Sequence, residues 1–240
     1  KNEWTVKKAF ADFLKRYAKV HNEYWEETDR IFKKDILPAI GKKPIDEVKK
    51  DDIIKILDKV ISRGSGVMAN RTLAAIRKFF NWCIERDLIK FSPAYKISSP
   101  AKNISRDRVL SDEELREIWE ACDRIGYPFG HFAKFLMITG QRRGETVLMT
   151  WEQFDEETSV WTIPRENTKT DKQQNVPLPE LAIEVLRDCK KMGNYVFSST
   201  GYNPFDNVSR GKAELDKKLK AARKEQGRFA LVPWKLHDLR

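Results

Sequence analysis

From Thr5 to Arg86 the apolar residues recur every three to four positions, and no stretch of comparable length alternates in twos. That spacing lines up one apolar stripe along a helix, so this part of the chain is expected to be helical throughout. Thr5 can cap a first helix that puts Phe10, Phe13, Leu14 and Tyr17 on one face. A second runs from about residue 23 to 37 and ends at Pro38-Ala39-Ile40-Gly41. A third, from about 50 to 62, carries Ile53, Ile54, Ile56, Leu57, Val60 and Ile61, and Gly64-Ser65-Gly66 closes it. The fourth, from about 70 to 86, turns Leu73, Ile76, Phe79, Phe80, Cys83 and Ile84 inward. Its other face shows Arg71, Arg77, Lys78 and Asn81. Short helices with a basic face can enter a major groove or lie along phosphates. The same four residues would serve equally well as a solvated face.

Residues 91–103 carry two prolines and several small polar residues and read as a linker. Domains of residues 1–100 and 101–240 are expected on either side. Beyond it, Ser111-Asp112-Glu113-Glu114 is a capping box for a helix with Leu115, Ile118, Trp119 and Cys122 on one face. Another helix covers about 130 to 138 and stops at Gly140, and a further one starts at Arg142. Residues 159–163 and 174–178 read as two strands joined by the polar turn Thr168-Lys169-Thr170-Asp171-Lys172. Helices fit about 179–192 and 207–226, and a terminal helix holds His237. The expected fold is mainly α with a small antiparallel β-sheet.

The chain carries a formal net charge of +10, which favours a polyanionic partner. Residues 1–100 contribute 22 Lys and Arg against 14 Asp and Glu, so the excess lies in the first domain. No run of 18 apolar residues suggests a membrane span. Cys83, Cys122 and Cys189 are widely spaced within helical patterns and read as small core residues in a reducing compartment. No Cys/His cluster has zinc spacing.

Two arginine centres carry the chemistry: Thr139-Gly140-Gln141-Arg142-Arg143-Gly144-Glu145 and His237-Asp238-Leu239-Arg240. Arginine is planar, permanently charged and bidentate toward phosphate. Two of them, with a histidine beside one, suit a pentavalent phosphate transition state. Arg142 falls at a helix N-terminus, where the dipole favours an anion. Phosphate chemistry alone does not choose between Arg142 and Arg143. Lys169 and Lys172 are likewise both candidates for a proton donor on the turn. Glu145 is within reach of Arg142 or of the backbone and is expected to orient its helix. His21 and His131 have no motif partner and read as structural or surface residues.

Thr139-Gly140-x-Arg142 followed by Glu145, the hairpin Thr168-Lys169-Thr170 and His237-x-x-Arg240, in that order behind a basic helical domain, resemble the tyrosine recombinases, the phage integrases especially. Arg71-Thr72-Leu73, Asn81-Trp82-Cys83 and Phe91-Ser92-Pro93-Ala94 are similar to that family's core-binding domain. The resemblance implies a helical core-binding domain followed by an α+β catalytic domain. It also implies site-specific cutting and rejoining of DNA through a 3′-phosphotyrosine, with neither ATP nor a metal. Arg142 and Arg240 would clamp the non-bridging oxygens, Lys169 would protonate the 5′-oxygen and His237 would assist. Family spacing favours Arg142 over Arg143. Double-stranded DNA at an attachment site, other recombinase protomers and accessory DNA-bending or excisionase proteins are the implied partners, in the cytoplasm of a bacterial cell.

The resemblance stops at Arg240. The family's second His/Trp position and its tyrosine have no counterpart, and all six tyrosines precede His237. The chain is therefore expected to be a DNA-binding fragment, inactive in cleavage. A natural non-catalytic DNA-binding regulator of recombinase ancestry and a type IB topoisomerase-like enzyme are the alternatives.

Overall fold

The computed structural model describes residues 4–102 and 107–240. Contacts divide the chain into two units, Lys1–Ser105 and Arg106–Arg240.

The first unit is helical. Helix α1 (Val6–Phe13) starts where the Thr5 hydroxyl accepts from the Lys8 N–H, and it widens through a π-helical stretch, Leu14–Ala18, into α2 (Lys19–His21). Helix α3 (Trp25–Ile31) widens in the same way at Phe32–Ile36 before α4 (Leu37–Ile40). The two expected helices therefore form, each with one wide turn that a strict 3.6 period does not reveal. Helix α5 (Lys50–Ile61) follows the expected range. Ile53, Ile56, Leu57 and Val60 are buried, but Ile54 and Ile61 stand half out of the core, because six isoleucine, leucine and valine residues span too wide an arc for one stripe. Helix α6 (Gly66–Glu85) begins four residues before the expected start, so Gly66 opens this helix while Gly64, with φ of 78°, ends the one before.

Phe79 of α6 meets the rings of Phe10, Phe13 and Phe32 edge-on at 6.0, 5.6 and 5.1 Å, and Phe10 stacks on Phe32 at 3.8 Å. These contacts add to the area the rings bury. Residues 91–102 are irregular but are not free chain, which corrects the linker reading. Ala94 and Ile97 are buried in the first unit's core. Arg77 donates to the Ile97 carbonyl, and Asn70 grips the Ala101 backbone at both its N–H and its carbonyl, at 3.1 and 2.8 Å. Composition flagged the prolines and serines there but not the two apolar residues between them. Asn103, the last residue of that expected linker, lies outside the described residues.

In the second unit, α7 (Asp112–Ile125) opens on the expected capping box. The Ser111 hydroxyl accepts from the Glu114 N–H at 3.3 Å, and the Glu114 carboxylate accepts from the Ser111 N–H at 2.9 Å. Helix α8 (Phe129–Thr139) packs closely on α7 at Gly130, where an added Cβ would lie 2.2 Å from the Cys122 carbonyl oxygen. Gly130→Ala is therefore expected to lose about 1–3 kcal/mol of stability, because backbone must move to admit one methyl; a thermal melt unchanged from wild type would refute the close packing. Helix α9 (Arg143–Val147) leads to a three-stranded antiparallel sheet in the order β1 (Phe154–Asp155), β2 (Val160–Ile163), β3 (Gln174–Pro177). Strands β2 and β3 match expectation; β1 has two residues, too short for any period to show. Trp161 of β2 is fully buried against Phe135 of α8.

Helix α10 (Glu180–Arg187) stops short of the expected end, so Cys189 lies beyond it. Cys189, Cys83 and Cys122 are all buried as free thiols, and burial pushes each thiol up to about 12. Helix α11 (Val208–Glu225) is joined to α7 by Glu117, which takes Arg223 and Arg228 at 2.6 Å each. The expected terminal helix is a single 3₁₀ turn, Leu236–Leu239. It packs against α8 and buries Leu239. Among the described residues no helix is long and apolar enough to cross a membrane.

Candidate active site

Helix α8 ends at Gly140, whose φ of 60° is a left-handed conformation that glycine adopts without strain. The sharp turn leaves Arg142 as the N-cap of α9. Its guanidinium donates to Glu145 Oε1 at 2.7 Å, and Glu145 is buried while Arg142 remains about one-third exposed. The other carboxylate oxygen of Glu145 is buried with no hydrogen-bond partner. Arg143 begins the helix and is exposed, without such a pairing.

The hairpin is tied to this turn. Gln174, the first residue of β3, donates to the Gln141 side-chain oxygen at 3.3 Å. Between the strands, the buried Thr168 organises the lysine turn. Its hydroxyl accepts from the Lys172 N–H at 3.1 Å and lies 2.8 Å from the Lys172 carbonyl and 3.0 Å from that of Arg165. An Arg165–Asp171 ion pair closes the loop at 2.5 and 2.7 Å.

The terminal turn comes to the same place. The Lys235 N–H donates to the Asp238 carboxylate at 2.9 Å, and the buried Leu239 fixes the turn in the core. The stem of Arg240 runs over the Gly140 turn, since a Cβ on that glycine would sit 3.9 Å from Arg240 Cγ. A cleft of about 690 Å³ results, lined by Arg142, Arg143, Lys169, His237 and Arg240 together with Gln141, Lys212, Asp216, Trp234 and Lys235. Four separate stretches of the second unit thus meet in one basic cleft, whose lining holds one acidic residue, Asp216. Lys172 does not line it. Lys212 and Trp234 escaped the sequence reading, because a Lys–Asp pair four residues apart on a charged helix looks like a solvated face. Among the described residues no group of three or more His, Cys, Asp or Glu side chains could hold a metal ion.

In the first unit, Arg71, Lys78 and Asn81 lie exposed on α6 as expected. Lys78 sits 5.3 Å over the Tyr17 ring. Arg77 is turned to a structural use at the Ile97 carbonyl. His131 is half-buried beside Tyr127, and burial holds its imidazole below the ordinary value.

Residues 6–99 match the phage integrase central domain, and residues 108–240 match the phage integrase family. The chain belongs to that family, the tyrosine recombinases. It is 26% identical over 213 residues to prophage integrase IntZ of Escherichia coli K12, covering 88% of this chain and 50% of that protein. It is 24% identical over 183 residues to the integrase of Shigella phage Sf6, covering 73% and 48%. The chain thus spans about half the length of the curated relatives it matches. In fold it is similar to lambda integrase residues 75–356, solved as a dimer bound to a COC′ core site, with a TM-score of 0.77, 19% identity and coverage of 98% and 87%. It is also similar to the Tn1549 transposon integrase in complex with circular intermediate DNA, with a TM-score of 0.76, 18% identity and coverage of 99% and 84%.

Proposed function

We propose that this chain is the DNA-gripping and phosphate-activating part of a site-specific recombinase, and that its cleft takes the scissile phosphate of duplex DNA. The convergence of Arg142, Lys169, His237 and Arg240 on one cleft carries this reading. Arg142 and Arg240 would hold the two non-bridging oxygens and stabilise the charge that grows as the phosphorus becomes five-coordinate. Arg142 suits this better than Arg143, because the buried Glu145 fixes the plane of its guanidinium before the phosphate arrives. Lys169, on an exposed turn held by Thr168, would give its proton to the departing 5′-oxygen. His237 would hydrogen-bond the phosphate. Arg71, Lys78 and Asn81 of α6 would meet the duplex backbone or base edges, with Arg77 holding the chain that follows α6.

The attacking group would be a tyrosine outside these residues, since no tyrosine lines the cleft. Partner protomers and accessory DNA-bending or excisionase proteins would join on the DNA, in the bacterial compartment that holds the genome. The neighbours solved with a core site or with circular intermediate DNA, one of them as a dimer, support this reading.

Salt tests the binding half. Each phosphate contact releases condensed counterions, so the logarithm of affinity should fall against the logarithm of salt with a slope of about −0.9 per contact. A duplex titration with no slope between low and moderate salt would reject the proposal.

A further inference from the structure

Lys212 of α11 is an unexpected residue for a cleft already lined by three arginines and two other lysines. Another ammonium there raises the repulsion among the cations unless something holds it. Two contacts do. Asp216, one turn on, accepts from Lys212 Nζ with both carboxylate oxygens at 2.6 Å. The ammonium also stands 3.9 Å from the centroid of the Trp234 ring. The Lys212 side chain is only 15% exposed, which strengthens a cation–π contact by removing competing water. Trp234 is buried, and its indole N–H has no hydrogen-bond partner, so no hydrogen bond sets the ring's orientation. Trp234 lies three residues before His237.

We infer that Lys212 is a positioning residue: through the face of Trp234 it fixes the His237–Arg240 turn against α11, in the arrangement a phosphate requires. This rests on the phosphate reading of the cleft. Lys212 need not touch the phosphate, because Asp216 already engages its ammonium. Its effect passes along the backbone from Trp234 to a histidine and an arginine whose own side chains are exposed. A turn held loosely would lose alignment, and small misplacements at a reacting centre can cost up to about 100-fold.

The chain has three histidines, so its imidazole signals can be followed one by one. Inorganic phosphate titrated into the 240-residue protein should move the His237 signal and leave His21 and His131 in place. Lys212→Met, which keeps the stem and removes the charge, should need about tenfold more phosphate for the same movement. Lys212→Arg keeps a cation over the ring and should restore the wild-type midpoint. A residue that only holds the fold would instead lower the melting temperature without a charge-specific rescue. If Lys212→Met does not fold, Lys212→Gln carries the same expectation. An unchanged midpoint in the uncharged variant, or failure of arginine to rescue, overturns the inference and leaves the phosphate reading intact. No movement of His237 in the wild type, together with full DNA cleavage by Arg142→Ala in a longer recombinase, overturns both.

Discussion

Arg142→Ala and Arg240→Ala are each expected to abolish DNA cleavage, measured in a longer recombinase that carries this chain and a nucleophilic tyrosine, while the proteins stay folded and still bind duplex. Removing one preorganised donor costs about 10²–10³ in rate, and a bidentate guanidinium at the phosphate should cost at least that. Lysine at either position should not rescue, because a point charge cannot make two parallel hydrogen bonds to phosphate oxygens. Arg142 brings a second consequence. Glu145 is 3% exposed and spends one oxygen on Arg142. Removing the arginine leaves a buried carboxylate unpaired, so Arg142→Ala should also lower the melting temperature more than Arg240→Ala does. Single-turnover cleavage on a nicked suicide substrate reads the rate, and a thermal melt reads the rest. Wild-type cleavage by either alanine variant would refute the clamp.

The 240-residue chain itself is expected to form no covalent adduct with that suicide substrate, even where a mobility shift shows it fully bound. The cleft offers charge but no tyrosine hydroxyl. The Tyr127 hydroxyl is engaged by the Val196 carbonyl at 3.0 Å and by the Ser198 N–H at 3.3 Å. Tyr17 stacks on Phe13. Neither these nor the other four tyrosines line the cleft. A phosphate held by arginines without a nucleophile in line does not react at a useful rate. A denaturing gel decides the matter: a DNA-dependent band of higher mass would identify one of the six tyrosines, or another residue, as a nucleophile and would end this reading.

The helices were legible where burial follows one period. Phe79, Phe80, Leu73 and Ile76 announced the inner face of α6, and Ser111 with Glu114 announced the start of α7 to the residue. What escaped was local and cooperative. The wide turns at Leu14–Ala18 and Phe32–Ile36 depend on how a helix meets its neighbours, not on a period. Strand β1 exists only because β2 lies beside it. The set of residues that line the candidate cleft was legible as residue types, because arginine, lysine and histidine in that order have few other uses. Its supports were not. Thr168, Gln141, Gln174, Lys212 and Trp234 act through contacts with residues distant in sequence, and a single chain shows no pairing.

The cleft draws on Arg142 near the start of the second unit and on Arg240 at its far end, and the Arg240 stem comes to rest over the Gly140 turn. During synthesis the first arginine leaves the ribosome well before the second. Until Leu239 has seated in the core, the nascent protein has only one of the two arginines of the proposed phosphate cleft. A product clipped anywhere before His237 would keep α6 and Arg142 but lose the histidine and the second arginine of the cleft. On the proposed reading, the wide separation of the two arginines ties the completion of the cleft to the completion of the second unit.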